Sequence, residues 1–282
     1  MNQDGAALTV VLPPTDAAVF ALIVHRAGGK TTSLLVDCGS QAQQQGATKL
    51  VREIFQAHQV TAPDQVVVTS PAAVHTNLLS EIVADGSPRV HHAGDAAQYS
   101  GAAKQWLAAK GAKPFPAFHS DLTSPVAVVG DAKVYVVAAN ASGKPDSADT
   151  RTNAAVVLVD GGSERVLLMA DASARTAEFL VSRLLAAPGA PAAKALTSPG
   201  SLLVYGHADA AAAERWPWAP HAKLADGADH IPLGGNADDL APVPVTGCHA
   251  SRVALVNRPL TGSPQNHVGI DYDTRGITLG QV

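Results

Sequence analysis

The side chains of this sequence with the greatest capacity for chemistry do not complete a catalytic motif. Cys38 and Cys248 permit at most one internal disulfide, and neither belongs to a C-x-x-C pair that would bind zinc or carry redox chemistry. We expect reduced, buried thiols. The sequence contains no G-x-S-x-G turn, phosphate-binding glycine loop or dinucleotide fingerprint, so it does not support a serine hydrolase or a nucleotide-dependent enzyme.

Two further groups of side chains have competing interpretations. The adjacent pair His91-His92 falls in a predicted loop, and neighbouring side chains diverge in an extended segment, so we expect solvated histidines rather than ligands. The aromatic pair in Trp216-Pro217-Trp218 is either an exposed site for a ligand or partner, or an anchor that packs a loop. The anchor is the expected role.

Short apolar runs and two helical patterns supply the framework for these residues. Segments rich in Val, Ile and Leu predict strands at Leu8–Leu12, Val19–Val24, Ser33–Val36, Gln65–Thr69, Val126–Val129, Val134–Ala138, Ala155–Val159, Val166–Met169, Val253–Val256 and Val268–Leu279. Apolar residues at helical spacing predict helices at Gly46–His58 and Ala174–Leu185, the second burying Ala177, Leu180, Val181, Leu184 and Leu185. Gly161-Gly162 and Arg275-Gly276 predict tight turns.

Two stretches rich in Pro and Ala, Ala186–Gly200 and much of Ala208–Pro244, predict long surface loops around the short apolar run Ser201–Tyr205. Strand groups that alternate with single helices fit a layered α/β fold in which two sheets face each other. A chain of 282 residues with 46% hydrophobic content is predicted to form one domain, residues 1–282.

Charge and hydropathy exclude several partners. A formal net charge of −4 without a basic cluster gives no reason to expect nucleic acid as a partner. No uncharged stretch reaches membrane-spanning length, so no membrane association is expected. Residues 1–8 lack the basic start and apolar run of a secretory signal, and we expect a cytoplasmic protein.

The stretch Val68–Val83 resembles the metal-binding loop of the metallo-β-lactamase superfamily, in the branch of the competence-type DNA-uptake hydrolases. That branch reads V-S-H-P-H-A-D-H-I-G-G-L in this loop. The residues of this sequence that match it are Val68, Pro71, Ala73, His75 and Leu79. The first His of the pattern falls on Ser70, the second on Ala72 and the Asp on Val74, so the H-x-H-x-D-H motif is degenerate here.

Other segments resemble landmarks of the same branch and occur in the same order. They are Thr15-Asp16-Ala17, Leu35–Gly39, Asn153–Asp171, Tyr205-Gly206-His207 and Asp273–Thr278, with Ala170 in place of the usual Gly before Asp171. The ordered set covers nearly the whole chain. The resemblance implies a four-layer αββα sandwich of the metallo-β-lactamase type.

The resemblance also implies what has become of the metal sites. The first metal would need imidazoles where Ser70 and Ala72 stand, so this site is lost. The second retains His75, Asp171 and His207, while Val74 replaces the Asp that also orients the attacking water. We expect no cofactor; the alternative is a single zinc or manganese ion held by those three residues.

Three other positions are interpreted through the same resemblance. Asp37, at the end of a strand, would orient the metal loop from behind the ligands. Asp229-His230-Ile231 echoes the end of the metal motif without the preceding His, which we interpret as coincidence. A loop that delivers His119 or His230 into the cleft remains an open alternative.

Three functions follow as hypotheses. The first is a non-catalytic protein that acts by binding, either a small molecule in the old active-site cleft or a protein partner. The second is a mononuclear metal-dependent hydrolase that uses His75, Asp171 and His207. The third is a scaffold subunit of a larger assembly.

Overall fold

The computed structural model describes residues 7–12, 19–40, 44–162, 164–197, 201–206, 228–232, 268–273 and 276–281. These residues form a mixed α/β structure with two sheets, so the predicted α/β class is confirmed. The predicted landmarks Thr15-Asp16-Ala17, Val253–Val256 and Trp216-Pro217-Trp218, together with Cys248 and His207, lie outside the described residues.

The first sheet contains eight strands in the order β14-β13-β1-β2-β3-β4-β5-β6 within the described residues. Its strands are β1 (Ala7–Leu12), β2 (Val19–Ala27), β3 (Lys30–Gly39), β4 (Gln65–Val68), β5 (Arg89–His92), β6 (Lys113–Pro114), β13 (Val268–Asp273) and β14 (Gly276–Gln281). β2 and β3 form a hairpin through Gly28 and Gly29, both with positive φ. A two-residue turn that follows the twist of its strands needs that conformation at both positions.

The second sheet contains six strands in the order β12-β11-β10-β9-β8-β7, again within the described residues. They are β7 (Ala127–Val129), β8 (Ala132–Ala138), β9 (Val156–Asp160), β10 (Glu164–Ala170), β11 (Ser201–Gly206) and β12 (Ala228–Pro232). β9 and β10 pair antiparallel, as the predicted hairpin requires.

Helices provide the crossovers between parallel strands. They are α1 (Gln44–Ala57), α2 (Ala73–Thr76), α3 (Leu79–Ile82), α4 (Gly101–Ala109), α5 (Ala174–Ala186) and α6 (Pro191–Thr197), with short 3₁₀ helices at Ala96–Gln98 and Thr150–Asn153. β3, β4, β5 and β6 run parallel, which requires a crossover connection between each pair. No helix in the described part of the chain is long and apolar enough to cross a membrane.

Buried side chains gather in three cores. One contains residues from β1 to β4 together with residues from β7 to β10. The second joins β8, β9 and β10 to α5 and α6, and the third joins β2, β3 and β4 to α1, α3 and α4. In β8, Val134 and Val136 belong to the first core whereas Tyr135 and Val137 belong to the second, because successive side chains of a strand point to opposite faces.

The structure corrects three predictions of the sequence. Ala186–Gly200 is not one long loop, because it contains α6 with Ala192 and Ala193 fully buried. Ala208–Pro244 likewise contains a strand, β12. Leu185 was expected in the core, yet 64% of its surface is exposed.

Candidate functional site

The candidate site is built on Asp37, a buried carboxylate near the end of β3. Its backbone is left-handed, with a φ of 61°, a conformation that costs a residue with a Cβ about 1–2 kcal/mol. Its Oδ1 accepts a hydrogen bond from the backbone N of Thr69 at 2.7 Å, and its Oδ2 accepts one from the Thr69 hydroxyl at 2.5 Å. Thr69 directly follows β4. Asp37 therefore joins the ends of two neighbouring parallel strands.

His75, in α2, lies between two carboxylates and is completely buried. Its Nδ1 is 2.8 Å from Oδ2 of Asp37, and its Nε2 is 2.8 Å from Oδ2 of Asp171. Burial on its own would lower the pKa of His75, but Asp37 and Asp171 outweigh burial and raise the pKa to about 10. At neutral pH the ring is therefore a cation, with Nδ1 hydrogen-bonded to Asp37 and Nε2 in an ion pair with Asp171.

Asp171 is the more exposed of the two carboxylates that flank His75. We refer to the three residues as the Asp37–His75–Asp171 chain. The side chain of Asp171 is 19% exposed, against 5% for the side chain of Asp37. Asp171 follows β10 directly, after Ala170 with a left-handed φ of 48°. Because β3 belongs to the first sheet and β10 to the second, His75 connects the two sheets through ion pairs.

Three positions predicted from the sequence to replace metal ligands, Ser70, Ala72 and Val74, lie in the same loop as His75. Ser70 is fully buried, and its hydroxyl accepts a hydrogen bond from the backbone N of Ala72 at 3.3 Å. Ala72 and Val74 are half-buried. The loop packs directly on the end of β3, since a Cβ added at Gly39 would lie 1.9 Å from the carbonyl oxygen of Val74. Only glycine permits this approach.

A buried asparagine fixes the segments that border the site. Asn140 is left-handed with a φ of 52°. Its Oδ1 accepts a hydrogen bond from the backbone N of Gly94 at 2.8 Å, and its Nδ2 donates to the carbonyl of Phe115 at 2.6 Å. Just before β9, the backbone N of Ala155 donates to the carbonyl of Thr69 at 2.7 Å. The loop between β8 and β9 is thereby tied to the site.

The histidine pair predicted as a solvated loop lies in a strand, so that prediction is wrong. His91 and His92 both belong to β5, and His92 is buried with its ring edge-on to Tyr99. His91 stacks on Phe115 at a centroid distance of 5.6 Å, and Phe115 stacks on His119 at 4.8 Å. Burial lowers the pKa of all three histidines. His119 thus joins a stack of rings, and His230 lies in β12.

Two residues near Asp37, Thr69 and Tyr99, were not identified from the sequence. Thr69 supplies both donors to Asp37 described above, and the only available signal was a hydroxyl directly after the Val66–Val68 run. Tyr99 is buried, donates to the carbonyl of Ala93 at 2.6 Å, and has a pKa raised by burial and by Asp37. Nothing in the sequence around Tyr99 indicated this position.

Cys38 is a buried free thiol, and burial raises its pKa, as expected for an inert cysteine.

The residues that the structure describes supply two of the three predicted metal ligands. Metal binding through Nε2 of His75 would require that nitrogen to be deprotonated, and in this structure it lies 2.8 Å from Oδ2 of Asp171. Among the residues that the structure describes, no group of three or more His, Cys, Asp or Glu side chains is arranged to hold a metal. The structure brings together two of the predicted ligands, His75 and Asp171, while His207 lies outside the described ranges.

Comparisons with known proteins add little to this geometry. No family model matches the chain, and no curated protein matches it. Among solved structures, the chain is similar to a mutant of CmlA beta-hydroxylase, with 15% identity and a TM-score of 0.37, over 73% of this chain and 36% of that chain. The chain spans about a third of the length of that protein. A similarity at this level carries no argument about fold or activity.

Proposed function

We propose that this chain is a non-catalytic protein of the metallo-β-lactamase fold that acts by binding a small molecule or a protein partner. Two features support the four-layer αββα arrangement. The order of the sequence landmarks is one, and the other is the set of three cores, with helices packed on the outer face of each sheet. In this proposal the protein retains the backbone of the old active site but has lost the side chains needed for metal chemistry.

The observation that carries the proposal is the engagement of both His75 nitrogens by carboxylates at 2.8 Å. An imidazolium cannot be a ligand, so metal uptake would require His75 to lose a proton that Asp37 and Asp171 both stabilise. The same chain of ion pairs supplies positive charge between the two carboxylates, which is the role a metal ion has in such sites. The ion is therefore dispensable for holding the loop.

The neighbouring positions agree with a loss of hydrolysis. Ser70 and Ala72 offer a neutral hydroxyl and a methyl group where a metal site needs imidazoles. Val74 is apolar, so it cannot orient an attacking water. A protein that keeps the loop backbone but exchanges its reactive side chains is expected to bind rather than to hydrolyse.

Metal content tests this proposal. The full-length, tag-free protein is analysed by inductively coupled plasma mass spectrometry, before and after mild chelation and resupply of zinc or manganese. We expect no stoichiometric metal, no change of melting temperature with the chelator, and no activity on a panel of phosphoester, lactam and thioester substrates. Nitrogen NMR of His75 should show both ring nitrogens protonated at neutral pH.

One observation favours the mononuclear hydrolase as the second candidate: His75 and Asp171, two of its three ligands, are in contact. Three variants separate the two functions. About one ion per chain, lost in His75→Gln and in His207→Ala but retained in the control His91→Gln, would establish the metal site and end the non-catalytic proposal. Metal at the same low level in all four proteins would exclude the hydrolase.

A further inference from the structure

Phe118 is an aromatic residue that the fold holds in an unfavourable state. Its φ is 52°, in the left-handed region, where a bulky side chain is strained. In addition, 54% of its surface is exposed, so the ring gains little from burial. Strain combined with an exposed ring is not explained by folding stability, and such conformations concentrate at binding sites.

The surroundings of Phe118 keep the ring in place. Its backbone N donates to the carbonyl of Asn140 at 3.0 Å, and Asn140 is the buried anchor described above. The ring rests against Gly143, where an added Cβ would lie 2.1 Å from it. A side chain at position 143 would displace the ring. The orientation of Phe118 is therefore set before any ligand arrives.

Helix α5 places a second ring and positive charge beside Phe118. Phe179 lies 6.1 Å from Phe118 between ring centroids, and the guanidinium of Arg183 lies over the Phe179 ring at 5.8 Å. Arg175 is four residues before Phe179 and Arg183 four residues after it, so the three share one stripe of the helix. Both arginines are exposed. The acidic Glu178 is also exposed, but it lies about a quarter-turn from Phe179 around the helix.

We propose that the surface formed by Phe118, Phe179, Arg175 and Arg183 binds a planar aromatic anion. The exposed ring of Phe118, with the half-buried ring of Phe179 beside it, provides the surface for stacking, and the arginines provide the counter-charge. This inference rests on the proposed function only in that the chain acts by binding; it does not depend on whether a metal is present.

Charge complementarity selects this ligand class over its two simpler relatives. An uncharged aromatic molecule would use the rings and leave the guanidinium groups without a partner in the complex. A small inorganic anion would meet two flexible, solvated arginines, which bind weakly without a second contact. An aromatic carboxylate or phosphate uses both features at once, because arginine binds planar anions through paired hydrogen bonds and stacks on rings.

The test uses 2-naphthoate as the probe, with acetate and 2-naphthol as its two halves. Dissociation constants are measured by NMR titration of the full-length protein, once with chelator and once after zinc resupply. We expect 2-naphthoate to bind more tightly than either half. Phe118→Asn removes the ring but tolerates the left-handed backbone, and we expect it to weaken binding by about fivefold or more, the effect of losing one aromatic contact.

Arg183→Gln tests the charge independently, and it should weaken binding of 2-naphthoate while leaving 2-naphthol unchanged. Leu185→Ser and Lys133→Gln are the matched controls, since they remove an exposed apolar residue and an exposed cation that are not part of the proposed surface. Equal binding by Phe118→Asn and the wild type would overturn the proposal, as would equal losses in the controls. A marked fall in the melting temperature of Phe118→Asn would also count against it, because the ring would then serve packing. Metal binding in the zinc arm would refute the proposed function without affecting this comparison.

Discussion

Two strand ends meet at His75, and each presents a carboxylate to the ring in a different way. β3 ends near Asp37, and β10 ends at Ala170, immediately before Asp171; both Asp37 and Ala170 are left-handed. The strained residue of β3 is itself the hydrogen-bonding group, so its conformation brings three hydrogen bonds. The strained residue of β10 only aims the next side chain. Substitutions at the β3 end, the inner end, should therefore destabilise the protein strongly, whereas substitutions at the more exposed β10 end, the outer end, should have smaller effects.

The largest effect should come from removing the inner carboxylate. Asp37→Ala leaves a buried imidazolium and two Thr69 donors without their acceptor, and breaking a buried ion pair costs about 3–5 kcal/mol. Urea unfolding measures the loss. The control is Asp64→Ala, which removes an exposed carboxylate that accepts from the backbone N of Ser33 at 2.8 Å and should cost about 1 kcal/mol. Similar losses in the two variants would refute the distinction.

The stability of the protein should depend on pH through His75. Its pKa is about 10 in the folded protein and about 6.5 in the unfolded chain. The stabilisation is therefore complete below pH about 6.5 and is lost as the pH rises through about 10. The free energy of unfolding should fall by an amount on the order of a few kcal/mol across this window. Urea unfolding at several pH values checks the slope, and His75→Gln should flatten it; a wild-type protein with no slope would contradict the ion-pair assignment.

The outer carboxylate should matter less. Asp171→Asn keeps an acceptor for Nε2 of His75 and removes a charge that water partly screens, so we expect a loss of about 1–2 kcal/mol. The pKa of His75 should fall in this variant but remain above its ordinary value, because Asp37 still faces the ring. NMR titration of the ring measures it. A loss as large as that of Asp37→Ala would show that the two ends are equivalent.

The smallest expected effect is a gain in stability. Ala170→Gly relieves the left-handed strain at the outer strand end, and part of the gain is offset by the greater freedom of glycine in the unfolded chain. We expect a net stabilisation of about 0.5–1 kcal/mol and a small rise in melting temperature. Asp37→Gly, made as the counterpart, should destabilise, because it removes the hydrogen bonds together with the strain. A loss of stability in Ala170→Gly would mean that Ala170 has a packing role.

Much of the framework could be predicted from the sequence because apolar spacing reports burial directly. The predicted strands at Val134–Ala138 and Val166–Met169 and the helix at Ala174–Leu185 each lie within an observed element. Apolar spacing failed to predict an element where the amino-acid composition was unusual for that element. Alanine and proline obscured α6, and three polar side chains obscured the four-residue strand β5.

The site was less predictable than the fold. Proximity of Asp37, His75 and Asp171 followed from a resemblance between motifs, since these residues are far apart in sequence and no local pattern connects them. The protonation of His75 could not be foreseen, because it depends on two carboxylates that tertiary structure brings to opposite sides of one ring. The left-handed backbones of Asp37 and Ala170 also lack a local signal, since glycine, the usual marker of that conformation, is absent from both positions.

The double engagement of His75 also has a kinetic consequence. A ring that carries a proton on each nitrogen has no tautomeric choice, and because His75 is fully buried its ring protons reach water only when the contacts around it open. The rate at which these ring protons exchange with solvent therefore reports how often the contacts around His75 open. Exchange of the His75 ring protons is therefore a direct probe of local opening where the ends of β3 and β10 meet.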